Sequence, residues 1–249
     1  MRDEGTAINV EPPPHFISHR ASLVIAFVLG AVTVAGYAPY YLFLQPVITV
    51  TGLFYLWSRA PGARAAGAIG FAFGLGLFLF GVSWVYVSLH DFGAMPMPLA
   101  AIFTILFCAF LALFPAAVGY ACARSGMRHA VRYGLLAPAA WVLAEWTRSW
   151  IFTGFPWLAL GYSQIPSSPL AGYAPVLGIH GVTLATALSS GLIVVLWLRY
   201  AERDESGGRR AEGKSGTTGG TSPLIPRPSS LIPRIALQPS SFILVAVWL

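Results

Sequence analysis

An all-α integral membrane protein, with six transmembrane helices plus a truncated seventh, is the fold predicted by composition, by the lengths of the apolar runs and by the placement of arginine. The chain of 249 residues is 56% hydrophobic and 10% charged. Soluble domains carry about a quarter charged residues, so a water-soluble class is excluded. The net charge of +6 does not point to nucleic acid, because the basic residues are scattered over short connectors and a tail instead of forming one stripe.

Residues 1–19 contain Pro12, Pro13 and Pro14, mixed charge and no apolar period, which reads as a disordered lead-in. The first apolar run follows Arg20 and extends from Ala21 to Tyr37. Its Val34-Ala35-Gly36 is similar to a signal-peptide cleavage site, but the spans that follow favour an uncleaved first helix. A turn at Ala38-Pro39-Tyr40 leads into a second run, Tyr41 to Trp57, and Arg59 to Arg64 forms a basic connector.

The third run, Ala65 to Leu89, would be about 37 Å long as one helix and must tilt or project beyond an apolar core of about 30 Å. Gly70, Gly74 and Gly76 give it a smooth face for close helix packing. His90 to Pro98 is a connector without lysine or arginine, followed by the fourth run, Leu99 to Ala123. Beyond Arg124, Arg128 and Arg132, the fifth run spans Val131 to Arg148 with a kink at Pro138.

Residues 149–173, with Pro166 and Pro169, form a long non-helical segment before the sixth run, Ala174 to Tyr200. Residues 201–241 are rich in Gly, Ser, Thr, Pro and charge and read as a flexible linker. Residues 242–249 are apolar and begin a seventh span that is cut short.

Arg20, Arg59, Arg64, Arg124, Arg128, Arg132 and Arg199 fall on connectors of one parity, and those of the other parity hold no lysine or arginine. Positive residues are retained on the cytoplasmic side, so the amino terminus is cytoplasmic and residues 149–173 lie outside. Cys108 and Cys122, about 21 Å apart along one helix, cannot form a disulfide and read as packing residues.

The functional surface is expected at Glu145 to Gln164, where Trp146, Trp150 and Trp157 accompany Glu145 and Arg148 in a segment broken by Gly and Pro. Indole and phenol rings settle at membrane interfaces, burying an apolar body and keeping a polar edge wet. Glu145 and Arg148, three apart on a helix, share a face. They serve either as a self-satisfied pair at a helix end or as a site where Arg148 contacts an anionic headgroup while Glu145 orients it.

His90 and Asp91 sit at the same outer surface but point about 100° apart on a helix, which favours interfacial capping over proton transfer. His180 has no second ligand at metal spacing, so neither a metal nor a cofactor is implied. The single lysine, Lys214, lies in the linker, and no exposed nucleophile stands beside a base. The residues alone describe a membrane platform without an evident catalytic centre.

Several motifs in order resemble one family. They are Gly36-Tyr-Ala-Pro39, Gly74 through Trp84-Val-Tyr86 to Gly93-Ala-Met-Pro96, Glu145-Trp-Thr-Arg148, Thr153-Gly-Phe-Pro-Trp157, Gly161-Tyr-Ser-Gln164 and Ser168 to Pro175. Together, over about residues 20 to 200, they resemble the membrane part of bacterial apolipoprotein N-acyltransferases. The resemblance implies a multi-pass inner-membrane enzyme that moves an acyl chain from a phospholipid to the α-amino group of a lipoprotein's diacylglyceryl-cysteine. In that family an outer nitrilase-like domain carries a Glu-Lys-Cys triad, which has no counterpart here.

What carries over is a lipid or substrate platform at Trp84, Tyr86, Glu145, Arg148, Phe155, Pro156, Trp157, Tyr162 and Gln164, with Gly93, Pro96 and Gly154 as further motif positions. Its implied partners are the bilayer, a phospholipid acyl donor and a diacylglyceryl-modified lipoprotein acceptor. The chain alone is expected to be inactive. The alternatives are a non-catalytic lipid-binding or scaffolding domain serving a separate catalytic subunit, and a small transporter. A transporter is expected to show internal repeats and broken helices, which the sequence does not clearly show.

Overall fold

Among the described residues all regular structure is helical. A computed structural model describes residues 18–215, with side chains described through residue 203. The expected lead-in before residue 18, the later part of the linker and the start of a seventh span lie outside the described residues.

Four segments, 19–36, 63–81, 97–124 and 169–203, are long and apolar enough to cross a membrane. The first contains α1 (His19–Thr33), opened by Ser18, whose side chain accepts from the Ala21 N–H. The others are α3 (Ala63–Gly81), α5 (Met97–Arg124) and the helix that ends the described chain. Between them lie α2 (Leu44–Ser58), of 15 residues, and a segment over 129–148. That segment consists of α6 (His129–Val131), a π turn at Arg132–Leu136 and α7 (Ala137–Arg148).

The third apolar run differs from its expected form. It breaks after Gly81, where Val82 takes φ −125° and ψ 9°, and restarts as the short α4 (Trp84–Val87) and a π turn at Ser88–Phe92. With 19 residues, α3 is about 28 Å long, close to the thickness of an apolar core, instead of the roughly 37 Å of an unbroken run. Trp84 and Tyr86 consequently stand on a separate outer turn.

Pro138 follows directly on the π turn at Arg132–Leu136, whose altered hydrogen-bond register accommodates a residue without an N–H inside the continuous helical stretch 129–148. The last helix, α8 (Ala174–Ser215), is interrupted at Gly178, with φ 64°, and continues to Ser215. Helix therefore covers the first part of the segment expected to be a flexible linker.

The bundle is centred on α3, packed most extensively against α5 and α1. Its glycines make that possible. A Cβ on Gly30 would fall 1.9 Å from the Phe73 carbonyl oxygen, and one on Gly70 would fall 2.4 Å from that of Pro115. Bare backbones approach each other where a side chain would force them apart.

Aromatic packing fills the centre, where Trp141 stands 6.1 Å from Phe73, 6.4 Å from Phe54 and 6.5 Å from Trp57 between ring centroids. Hydroxyls join the helices across this core. Thr33 donates to Thr49 at 2.8 Å, and Ser190 Oγ donates to the Val47 carbonyl at 3.0 Å, tying α8 to α2. Outside, Val24, Val28, Ile102, Leu106 and Trp197 are exposed, the pattern of helices that are apolar on every face and solvated by lipid.

Candidate functional site

Chain order brings the carboxyl ends of α1, α3 and α7 and the amino ends of α2, α5 and α8 to one end of the bundle. The segment 149–173 lies there, folded into short 3-10 turns at Ile151–Thr153, Leu160–Gln164 and Pro169–Tyr173. Its path is unusual. Phe152, Thr153 and Leu158 take positive φ of 50°, 80° and 56°, a region costly for residues with a Cβ.

Gly154 occupies the tightest point of that path, at φ 83°, where a Cβ would lie 2.1 Å from the Ser149 carbonyl oxygen. Only glycine fits that turn without displacement.

Two buried charges hold the segment from beneath. Glu145 accepts three hydrogen bonds: Trp141 Nε1 and the Leu160 N–H both donate to Oε1 at 2.8 Å, and Thr183 Oγ1 donates to Oε2 at 2.8 Å. Thr183 Oγ1 in turn accepts from the Gly161 N–H at 2.9 Å. Arg148 donates through one guanidinium nitrogen to the Phe155 carbonyl at 3.0 Å and to the Trp157 carbonyl, with Phe78 5.2 Å beneath its charge.

Glu145 and Arg148 share a helix face, as their spacing implies, but they do not bridge each other directly. Arg148 is spent on the folded-back segment, Glu145 is shared between that segment, Trp141 and Thr183, and both are buried. Tyr37 adds a third fastening, donating to the Leu158 carbonyl at 3.0 Å.

Gln164 is fully buried, and its Nε2 donates to the Phe43 carbonyl at 3.0 Å and to Ser163 Oγ at 2.9 Å. It fastens the segment to the connector before α2. Thus Glu145, Arg148 and Gln164 form the support of the platform.

Its surface belongs to other residues. A cavity of about 590 Å³ is lined by Trp84, Pro156, Trp157 and Tyr162 together with Tyr37, Tyr41 and Leu158. A second, of about 450 Å³, lies between Trp84, Leu89, Phe103, Phe107 and Phe155. Both volumes fall within the 300–1,000 Å³ or so of ligand clefts. Tyr86 lines neither cavity and stacks on His90 at 5.6 Å.

His90 Nδ1 donates to the Met95 carbonyl at 2.8 Å, closing the connector, and Nε2 stands 3.9 Å from Asp91. His90 thus holds the connector instead of capping a helix-end carbonyl; the Gly93 and Met95 amides serve the carbonyls of Ser88 and Leu89. Sequence reasoning gave no role to Tyr37, Trp141, Leu160 or Thr183. For Thr183 a signal existed: Thr183, Thr186 and Ser190 recur at helical spacing and mark a buried polar stripe on α8.

Fold and site define a class, a helical membrane bundle with an aromatic, apolar-lined platform at one end. Comparison with known proteins supplies the family: residues 29–192 match the apolipoprotein N-acyltransferase N-terminal domain, and the chain belongs to that family. A relative from Nitrosomonas europaea, named apolipoprotein N-acyltransferase, is 49% identical over 176 residues, covering 71% of this chain and 35% of the relative.

Proteins of the same name from Chromobacterium violaceum and Methylococcus capsulatus are 44% and 41% identical, covering 70% and 71% of this chain. They are covered over 33% and 35% of their own length. The chain thus spans about a third of the length of the relatives it matches.

Proposed function

We propose that this chain is the membrane platform of an apolipoprotein N-acyltransferase. It would accept the acyl chains of a phospholipid donor and of a diacylglyceryl-modified lipoprotein, while a part beyond the described residues performs the transfer. The supporting observation is the pair of apolar cavities at the aromatic end of the bundle, beside a segment that two buried charged residues hold in a strained course.

Chemistry within the platform itself is limited. Both oxygens of Glu145 are occupied, His90 is spent on Met95, and Cys108 and Cys122 are buried within α5. We accordingly propose that the chain alone transfers no acyl group. Its residues would bind and orient: Trp157 and Tyr162 by apolar contact with lipid chains, Arg148 by fixing the course of Phe155 and Trp157.

The arginine asymmetry supports a six-span arrangement in the bacterial inner membrane, with the amino terminus cytoplasmic and the platform outside. The test is a chimera in which residues 18–203 replace the matching part of the Nitrosomonas europaea relative. It is expected to complement loss of that protein and to acylate a diacylglyceryl lipopeptide, with Trp157→Ala plus Tyr162→Ala reducing transfer at least about tenfold. A chimera that inserts normally and transfers nothing, or that is indifferent to the double substitution, contradicts the proposal. If it is inactive while the chain still binds phospholipid, the scaffold reading takes its place.

A further inference from the structure

Trp84 lines both cavities. Its ring meets Trp157 edge-on at 5.4 Å and lies nearly parallel to Phe155 at 6.4 Å, and Phe155 is backed by Phe107 at 5.0 Å. Trp157 faces the larger cavity and Phe155 the smaller. Three rings from two distant segments therefore form one wall with a hollow on each side.

The wall is fixed from below. Arg148 donates to the carbonyls of Phe155 and Trp157, the two wall residues contributed by the folded-back segment. A single buried guanidinium nitrogen thus anchors the backbone beneath both rings.

Each hollow has an exposed lining residue: Phe103 of α5, 49% exposed, lines the smaller, and Tyr41 of the α1–α2 connector, 42% exposed, lines the larger. Their linings are mainly apolar and aromatic, which suits acyl chains. Two apolar hollows flanking one thin wall suit a ligand whose two chains leave a single small polar hub.

We infer that Trp84, Phe155 and Trp157 form a partition that separates the two acyl chains of one diacylglycerol-based lipid, one chain to each hollow. This rests on the lipid-platform reading above and adds a specificity: a two-chain lipid fills both sides, and a single-chain lysolipid leaves one side unmatched.

The test uses the full chain in nanodiscs of phosphatidylethanolamine and phosphatidylglycerol, doped with a phosphatidylethanolamine carrying a photoactivatable diazirine on each chain. After illumination, peptides joined through one lipid are mapped by mass spectrometry. Pairs linking the Tyr162 region to the Phe103 region are expected to exceed pairs within one hollow by about tenfold, equivalent to about 1.4 kcal/mol of preference. Trp84→Ala is expected to bring that ratio close to one, and Trp84→Phe to keep most of it. Should the alanine variant fail to insert, the ratio in the unaltered chain still decides.

Labelling of both hollows with same-hollow pairs as frequent as cross-wall pairs overturns the partition and leaves the platform standing. If neither hollow is labelled above the lipid-facing side of α1 at Val24 and Val28, partition and platform fail together.

Discussion

At the scale of residues, the decisive feature is that two ionisable groups buried near a helix end find their partners away from each other: Arg148 in carbonyls of the returning segment, Glu145 in one amide of that segment and in the side chains of Trp141 and Thr183. Glu145→Ala would orphan the Trp141 indole N–H, the Leu160 N–H and the Thr183 hydroxyl, each at about 1–3 kcal/mol if left unpaired. Glu145→Gln keeps an acceptor and should cost clearly less. Thermal unfolding in detergent micelles is expected to order the proteins as parent, Gln, Ala; an alanine variant as stable as the parent would show that the network carries no load. Arg148→Ala is expected to remove both carbonyl contacts and to quicken proteolysis within 149–158 relative to the rest of the chain. Spacing alone placed Glu145 and Arg148 on one face. Their backbone partners were hidden because carbonyl and amide groups are common to every residue and leave no mark in a sequence, and Thr183 was hidden because it lies 38 residues away.

At the scale of elements, the apolar runs were legible because length and hydrophobicity are summed over many residues, and an error of one or two positions changes little. The break after Gly81 was not, since Val82 and Ser83 carry no strong stop signal and the run stays apolar through Val87. The same holds for the folded-back segment, where proline and glycine announced irregularity but not the positive φ at Phe152, Thr153 and Leu158. Gly154→Ala is expected to displace that segment, since the added methyl meets the Ser149 carbonyl at 2.1 Å, and to abolish the Phe155 and Trp157 fastening without unfolding the bundle. Cysteine accessibility at position 157 against one in α3 would register the difference. Gly30→Ala, by contrast, should act on the bundle itself, separating α1 from α3 at a cost of about 1–3 kcal/mol and lowering the unfolding temperature. An unchanged unfolding temperature would mean that the helices slide to accommodate the methyl.

At the scale of the molecule, the long helices supply a rigid bundle in lipid, and their connectors at one end supply an aromatic surface with two apolar hollows. Membership in the apolipoprotein N-acyltransferase N-terminal domain family gives that surface its context. The composition and arginine placement that reveal a membrane protein say nothing about cavities, which arise only when α4, the α1–α2 connector and the 149–173 segment meet. The central claim is that this end of the bundle holds lipid chains. Its most direct test is native mass spectrometry of the purified chain after extensive detergent washing. The parent is expected to retain diacyl phospholipid, and Trp157→Ala plus Tyr162→Ala to lose it at an unchanged unfolding temperature, while Val28→Ala on the outer face of α1 retains it. Equal retention by all three proteins, or none by the parent, would contradict the claim.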